Sequence, residues 1–473
     1  MIADLKPYSE YKQSGLPWLG RVPGHWEIRP AFGAFVPNRK RNHGMEEKTV
    51  LSLSYGRIVI KPAEKLHGLV PESFETYQIV KPGDIVLRTT DLQNDHTSLR
   101  VGMVRDRGII TSAYLALRTT PGVNPEFGFQ FLNVWDATKA IYGYGSGLRQ
   151  SLDFSHFKRM PVSIPPPDEQ AAIVRFLDWA NGRLERAIRE KRRVIALLNE
   201  QKQAMIHRAV TRGLDSSVPL KPSGIPWLGD IPQHWEALQV RRVVSFVTSG
   251  SRGWASYYSD SGVIFLQSGN LGRSMSLNLS YIQHVRPPDG AEGERTRVRG
   301  DDVLICVTGA LTGNVAIVDQ DLPAPAFVNQ HVALVRPKAD KVEPRFLAYV
   351  LHSQVGRTQF KTNEYGGTKQ GLGLGEVKSV FIPMPRLPEQ WAICARLDVE
   401  AARFKDASSR LEREIELLRE YRTRLVADLV TGKLDVRAAA ARLPAEASLD
   451  TVDDDIDLAE ETETETADEE AAV

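Results

Sequence analysis

Residues 169–212, EQAAIVRFLDWANGRLERAIREKRRVIALLNEQKQAMIHRAVTR, decide how this chain is read. Apolar residues recur at alternating three- and four-residue steps, with some gaps: Ile173, Leu177, Ala180, Leu184, Ile188, Ile195, Leu198, Met205 and Ala209. Glu, Arg, Lys and Gln cover the remaining faces. This spacing predicts one continuous helix with a single seam, packed against one partner. At about 1.5 Å per residue it would span roughly 65 Å, more than a domain core needs, which points to a spacer.

A second copy runs from Glu389 to Thr431, with its seam at Ile393, Leu397, Phe404, Leu411, Ile415, Leu418, Leu425 and Leu429. Shifted by 220 residues, these meet Ile173, Leu177, Leu184, Lys191, Ile195, Leu198, Met205 and Ala209, so the seams are in register except at Lys191. The repeat reaches further. Ser14-Gly15-Leu16-Pro17-Trp18-Leu19-Gly20 with Pro23, His25, Trp26 and Glu27 returns 209 residues later as Ser223-Gly224-Ile225-Pro226-Trp227-Leu228-Gly229 with Pro232, His234, Trp235 and Glu236. Glu169-Gln170 returns as Glu389-Gln390. The chain is therefore a duplication, its second globular region 11 residues longer. Two copies are too few for a solenoid and suggest internal pseudo-two-fold symmetry, with the equivalent seams pairing as a coiled coil.

The 473 residues and 42% hydrophobic composition allow several ordinary domains. The N-terminus lacks the apolar run of a signal peptide and nothing approaches ~20 uninterrupted apolar residues, so the expectation is a soluble, cytoplasmic protein. Cys306 and Cys394 sit in separate apolar runs and read as buried free thiols. The formal net charge of +1 hides an asymmetry, because residues 444–473 carry thirteen acidic and no basic residues, leaving 60 basic against 46 acidic elsewhere. A moderately basic body permits nucleic-acid binding; the acidic segment reads as a disordered tail.

Between the repeated motifs lie short strand signals: Val50–Leu53, Arg57–Ile60, Asp84–Leu87, Val101–Val104 and Tyr114–Leu117 in the first region, then Val303–Val307, Asn314–Val318 and Val332–Val335 in the second. Proline-initiated helices are predicted from Pro125 to Trp135 and from Pro344 to Leu351. The fold expected is α+β: two mixed-sheet domains in tandem, separated by two long helices forming a coiled coil. The expected segments are residues 1–164, 165–213 (first helix), 214–385, 386–433 (second helix) and 434–473 (tail).

Catalytic signatures are missing from the sequence. Pro165-Pro166-Pro167-Asp168 and Pro287-Pro288-Asp289 do not fit the Pro-Pro-aromatic motif of an amino-group methyltransferase, and there is no phosphate-cradling Gly-x-x-x-x-Gly-Lys-Ser/Thr. Gly371-Leu372-Gly373-Leu374-Gly375 lacks the strand-to-helix context of a dinucleotide loop. The ten histidines form no metal-ligand cluster. A binding subunit is the expectation.

The duplicated Ser-Gly-x-Pro-Trp-Leu-Gly segments, the duplicated Pro-x-x-Glu-Gln helix openings and the strand-rich regions between them resemble the specificity subunit of Type I restriction-modification systems, over essentially the whole chain up to Asp435. The resemblance implies that each globular region is a target recognition domain for one half of a split double-stranded DNA sequence. It also implies that the helices hold the domains apart as an antiparallel pair and dock two methyltransferase subunits. No cofactor would be bound by this chain; S-adenosylmethionine would reside in those partners, and ATP and magnesium in the restriction/translocase subunits.

Base reading needs short donor–acceptor side chains or an arginine fork, whereas phosphate contacts need positive charge or amides. The stretch after the first central strand offers Arg88, Thr89, Thr90, Asn94, Ser98 and Arg100; the second region offers Gln267, Ser268 and Asn270, then Thr308, Thr312 and Asn314. Arg149-Gln150 and Lys369-Gln370 occupy equivalent positions in two domains that should read different sequences, which suits phosphate contacts. Trp18, Trp26, Trp227 and Trp235 read as packing anchors. Seam residues Leu184, Ile195, Leu198, Met205, Phe404, Leu411, Ile415, Leu418 and Leu425 are the expected partner-binding set. The contrasting reading is a non-catalytic scaffold that binds RNA or protein through its repeated domains.

Overall fold

The computed structural model describes residues 5–54, 56–62, 73–90, 92, 99–144, 151–250, 252–272, 274–287, 290–318, 322–363 and 371–444. Contacts divide the chain into two units, Met1–Glu190 with Glu414–Val473, and Lys191–Arg413. Each long helix contributes residues to both units, and the division falls at Lys191, where the two seams lose register.

In unit 1 a short ribbon (Tyr11–Gln13 with Arg21–Pro23) and a strand Glu27–Pro30 paired to Pro161–Ile164 precede and close the domain. The main strands are β1 (Phe35–Pro37), β2 (Leu51–Ser54), β3 (Arg57–Ile60), β4 (Gln78–Val80), β5 (Ile85–Leu87), β6 (Val101–Met103), β7 (Gly108–Ile110) and β8 (Leu115–Thr119). Four of them form an antiparallel sheet in the order β1-β8-β5-β6. β5 is fully buried, as expected of a run of three aliphatics in a sheet centre. Helix α1 (Pro125–Ala137) packs on this sheet, started by Pro125 and by Asn124, whose side chain accepts from Phe127 N.

Helix α2 (Pro167–Arg212) follows as one unbroken element of 46 residues. Prolines at 165–167 forbid an earlier start, Asp168 and Glu169 favour its N-terminal dipole, and Gly213 at φ +73° ends it.

Unit 2 repeats the plan with β9 (Val244–Ser249), β10 (Val263–Leu266), β11 (Gln283–Val285), β12 (Val303–Cys306), β13 (Val315–Ile317), β14 (Ala326–Val328) and β15 (Val332–Pro337). The order β9-β15-β12-β13 reproduces that of unit 1, and β10 pairs with β14 in parallel just as Val50 bridges Ile109 in unit 1. Helix α3 (Pro344–His352) takes the place of α1. Helix α4 (Leu387–Val430) is the second long helix, ended by Gly432 at φ +74°.

The long helices run antiparallel. In unit 1 the start of α2 (Ile173, Phe176, Leu177, Ala180) and the end of α4 (Leu425, Val426, Leu429, Val430) share one core. In unit 2 the end of α2 (Ile206, Ala209, Val210) and the start of α4 (Ile393, Cys394, Leu397) share another. Cys306 and Cys394 are both buried free thiols, and burial first of all pushes the Cys394 thiol up to about 12. No helix among the described residues is long and apolar enough to cross a membrane.

Candidate nucleic-acid interface

The repeated motifs turn out to be one structural device used twice. In unit 1 the Glu169 carboxylate, 4% exposed, accepts from Tyr8 OH (2.6 Å) and Trp26 Nε1 (2.8 Å) and meets His25 Nε2 (2.7 Å). In unit 2 Glu389 Oε2 meets His234 Nε2 (2.9 Å) and accepts from Trp235 Nε1 (3.0 Å). The adjacent glutamines are wholly buried. Gln170 Oε1 accepts from Asn124 N (2.7 Å) and its Nε2 donates to Pro165 O (2.8 Å); Gln390 does the same with Glu343 N (2.8 Å) and Pro385 O (2.8 Å). Each long helix is therefore locked at its first turn to the helix that backs its sheet. Trp26 and Trp235 are the buried anchors the sequence predicts, whereas Trp18 is half-buried and Trp227 is exposed.

A second shared device fixes the central strand. Asp84 and Asp302, both 1% exposed, each receive a two-pronged arginine: Arg118 Nε and Nη2 at 2.8 and 3.0 Å, Arg336 Nε and Nη2 at 2.8 and 2.7 Å. Sequence reasoning missed these four residues, although both pairs repeat at an offset of 218.

With anchor and strand fixed, the topology sends the polar loops to one end of each sheet. β8 runs antiparallel to both β1 and β5, with Leu115 opposite Leu87 and Leu117 opposite Pro37. The chain leaving β1 and β5 and the turn entering β8 consequently share one rim. In unit 2 the segments after β9, β10, β12 and β14 do the same, and hydrogen bonds join them: Asn329 N to Leu266 O (2.9 Å), Gly250 N to Asn329 O (3.0 Å), Val307 N to His331 O (2.9 Å), Asn314 Nδ2 to Leu271 O (3.2 Å) and Thr308 Oγ1 with His331 Nδ1. Gly250 is obligatory here, because any Cβ would run into the backbone of Val328 and Asn329.

The described candidates all lie on these rims, but not all face solvent. Arg100 is fully buried: Nη1 donates to Arg88 O (3.3 Å) and Thr90 O (2.9 Å), Nε to Tyr142 OH (3.3 Å), and the guanidinium lies over the Tyr142 ring at 5.6 Å. Its expected DNA contact is corrected to a loop lock, since a guanidinium spent on internal carbonyls has no fork left for a base. Thr89 is corrected likewise; it is 4% exposed and turned to Ala113 O. Asn270, 8% exposed, accepts from Gln267 N (2.8 Å) and donates to Asn278 O and Tyr281 O (both 2.9 Å), so its amide closes its own loop. Arg88, Thr90, Gln267, Ser268, Thr308, Thr312 and Asn314 are half-buried on the rim, with Thr312 Oγ1 donating to Gly309 O (2.6 Å). Asn94, Ser98, Arg149, Gln150, Lys369 and Gln370 lie outside the described residues. The exposed tyrosines of unit 2, Tyr257, Tyr258 and Tyr281, escaped the sequence reading, and only their place at strand ends could have signalled them.

The seam set divides by exposure. Leu184, Ile415 and Leu425 are buried and Ile195, Leu198, Met205, Phe404, Leu411 and Leu418 half-buried. Arg422 Nη1 meets Glu185 Oε1 at 3.2 Å, tying the helices together alongside the seam in unit 1. Apolar side chains that do remain exposed on the helices are Val194, Leu197, Trp391, Val399, Leu417 and Tyr421. Among the described residues no group of three or more His, Cys, Asp or Glu is placed to hold a metal ion.

Residues 292–417 match the family model described as the Type I restriction modification DNA specificity domain. The chain is 25% identical over 341 residues, 70% of its length and 75% of the relative's, to the Type I restriction enzyme MjaVIII specificity subunit of Methanocaldococcus jannaschii. It is 24% identical over 435 residues, covering 89% of this chain and 96% of that one, to the putative MjaX specificity subunit of the same organism. A solved chain described under complex assembly and conformational transition of the type I R-M system superposes with a TM-score of 0.60 at 19% identity, covering 87% of this chain and 99% of that one, which establishes the shared fold.

Proposed function

We propose that this chain is a Type I restriction-modification specificity subunit, as its similarity to such subunits supports, and that it reads a bipartite double-stranded DNA sequence, one half-site by each unit, through the loop rims of the two sheets. The observation that carries the reading is the pairing of sameness and difference between the units. Sheet order, helix anchor and arginine fork repeat, while the loops on the rims do not. A conserved frame with divergent loops suits two readers of different sequences, and half-site spacing then follows protein geometry. The long antiparallel helices set the unread spacer.

Two methyltransferase subunits dock on the helix faces outside the seam, where Val194, Leu197, Val399 and Leu417 are exposed. Those partners supply S-adenosylmethionine and the catalytic residues, a restriction/translocase subunit brings ATP and magnesium chemistry, and this chain contributes recognition in the cytoplasm. Selection from a random duplex pool, with the methyltransferase partner present, is expected to enrich two short motifs at a fixed gap. Enrichment of a single contiguous motif, or of RNA over duplex DNA, would favour the scaffold reading instead.

A further inference from the structure

The rim of unit 2 holds one loop far more tightly than a solvent-facing turn requires. Between Gln267 and Tyr281 the buried Asn270 side chain makes three hydrogen bonds, Leu271 bridges Leu277, and Met275 is buried at φ +62°, its carbonyl accepting from Ile317 N at 2.9 Å. A non-glycine residue in the left-handed region and a buried amide are unfavourable by themselves and persist only where surrounding structure enforces them. What this framework presents is Tyr281, 88% exposed, its own carbonyl pinned by Asn270 at 2.9 Å.

Gln267 opens the same loop. β10 and β11 pair antiparallel up to Phe265 opposite Gln283, so the loop from Gln267 to Tyr281 joins their adjoining ends. The Gln267 amide Nε2 donates to Tyr258 OH at 3.1 Å, and Tyr258, 44% exposed, rests its ring against Phe265. One oriented amide thus sits against one exposed aromatic ring, at the start of the loop whose end carries a second, Tyr281. In unit 1 the corresponding rim is closed by Arg100, and its Tyr114 is half-buried.

Resting on the DNA-reading function proposed above, we infer that Gln267 reads the major-groove edge of an adenine in the half-site of unit 2, with Tyr281 and Tyr258 packing on the neighbouring sugar and bases. A carboxamide offers a donor and an acceptor side by side, the complement of adenine N6 and N7. Anchoring it to Tyr258 OH fixes the plane of the amide before DNA arrives, and a rigid tyrosine adds apolar contact at little entropic loss.

The test is duplex selection and affinity measurement on the full chain with its methyltransferase partner. Gln267→Ala is expected to relax one A·T position of one half-site by roughly ten- to a hundredfold, leaving the other half-site and the melting temperature unchanged. Tyr281→Ala should weaken binding about tenfold with the motif retained. Tyr258→Phe, which keeps the ring on Phe265 and removes only the hydroxyl, should lower discrimination several-fold at that same A·T position; this variant decides the matter if Gln267→Ala unfolds the loop. An unchanged motif with Gln267→Ala and Tyr258→Phe, or relaxation at a G·C position, would overturn the inference while leaving the proposed function standing. Failure of the unaltered chain to enrich any bipartite motif would overturn both.

Discussion

Unit 1 and unit 2 build the same frame and lock their recognition loops by different chemistry. Unit 1 buries a whole guanidinium, Arg100, under the loop that leaves β5, whereas unit 2 closes the loop that leaves β10 with a neutral amide, Asn270. Their helix anchors differ in depth as well. Glu169 is nearly sealed by three donors and by a C-terminal segment in which Asp435 N donates to Lys6 O and Arg437 lies over Tyr8, while Glu389 is half-buried with two partners. The difference teaches that duplication preserved what positions the loops and left free what the loops present.

The largest effect should come from the locks. Arg100→Ala leaves two carbonyls without their donor and a cavity in place of the side chain, and is expected to destabilise unit 1 by about 4 kcal/mol. Asn270→Ala should destabilise unit 2 by about 2 kcal/mol. Hydrogen exchange resolved by unit checks both; equal losses would erase the contrast between a charged and a neutral lock.

Acid should separate the units next. His352 is 3% exposed, and burial, then Arg357 and Lys202, lower its pKa to about 4. Gln203 Nε2 and Arg357 Nη2 approach its Nε2 at 3.5 and 3.4 Å. A depressed folded-state value means that the unfolded chain takes up the proton first. The stabilisation is therefore complete above about pH 6.5 and is lost as the pH falls toward 4, by about 3 kcal/mol in all. No histidine is buried among the described residues of unit 1. Exchange in unit 2 should accelerate first between pH 6.5 and 4, and His352→Gln should reduce that selectivity to the share of half-buried His207, whose pKa burial and then Arg212 also lower.

Smaller effects follow at the helix ends. Gly432→Ala forces a Cβ into Pro23 at φ +74° and should lower stability by about 2 kcal/mol, whereas Gly213→Ala, at φ +73° with Trp235 at 3.3 Å, should lower it by about 1 kcal/mol. Urea midpoints rank the two, and a reversed order would mean that unit 1 yields at its closure more readily than unit 2. Arg422→Ala breaks an ion pair whose side chains are 40% and 44% exposed, and should change stability by about 0.5 kcal/mol, less at high salt.

Much of this frame was legible in the sequence. Seam periodicity gave both long helices nearly to their ends, and the strand signals at Arg57–Ile60, Val101–Val104 and Val303–Val307 match observed strands to within a residue. These are local patterns of burial, which a single chain carries openly. The strand Gln283–Val285 went unnoticed, because Gln283 and His284 are half-buried and give no apolar run. The rim was the least legible. Arg100, Thr89 and Asn270 look like solvent-facing readers in a polar stretch, and only long-range packing against Tyr142, Ala113 and Tyr281 turns them inward. Along the seam, periodicity reveals that a face is covered without telling what covers it.

The central claim is that two units of one frame read two half-sites held at a fixed gap. Inserting four residues after Asn199 in α2 and selecting bound duplexes, with the methyltransferase partner present, tests it most directly. The account predicts two unchanged half-sites separated by a longer gap. Unchanged spacing, or half-sites that change along with it, would contradict it.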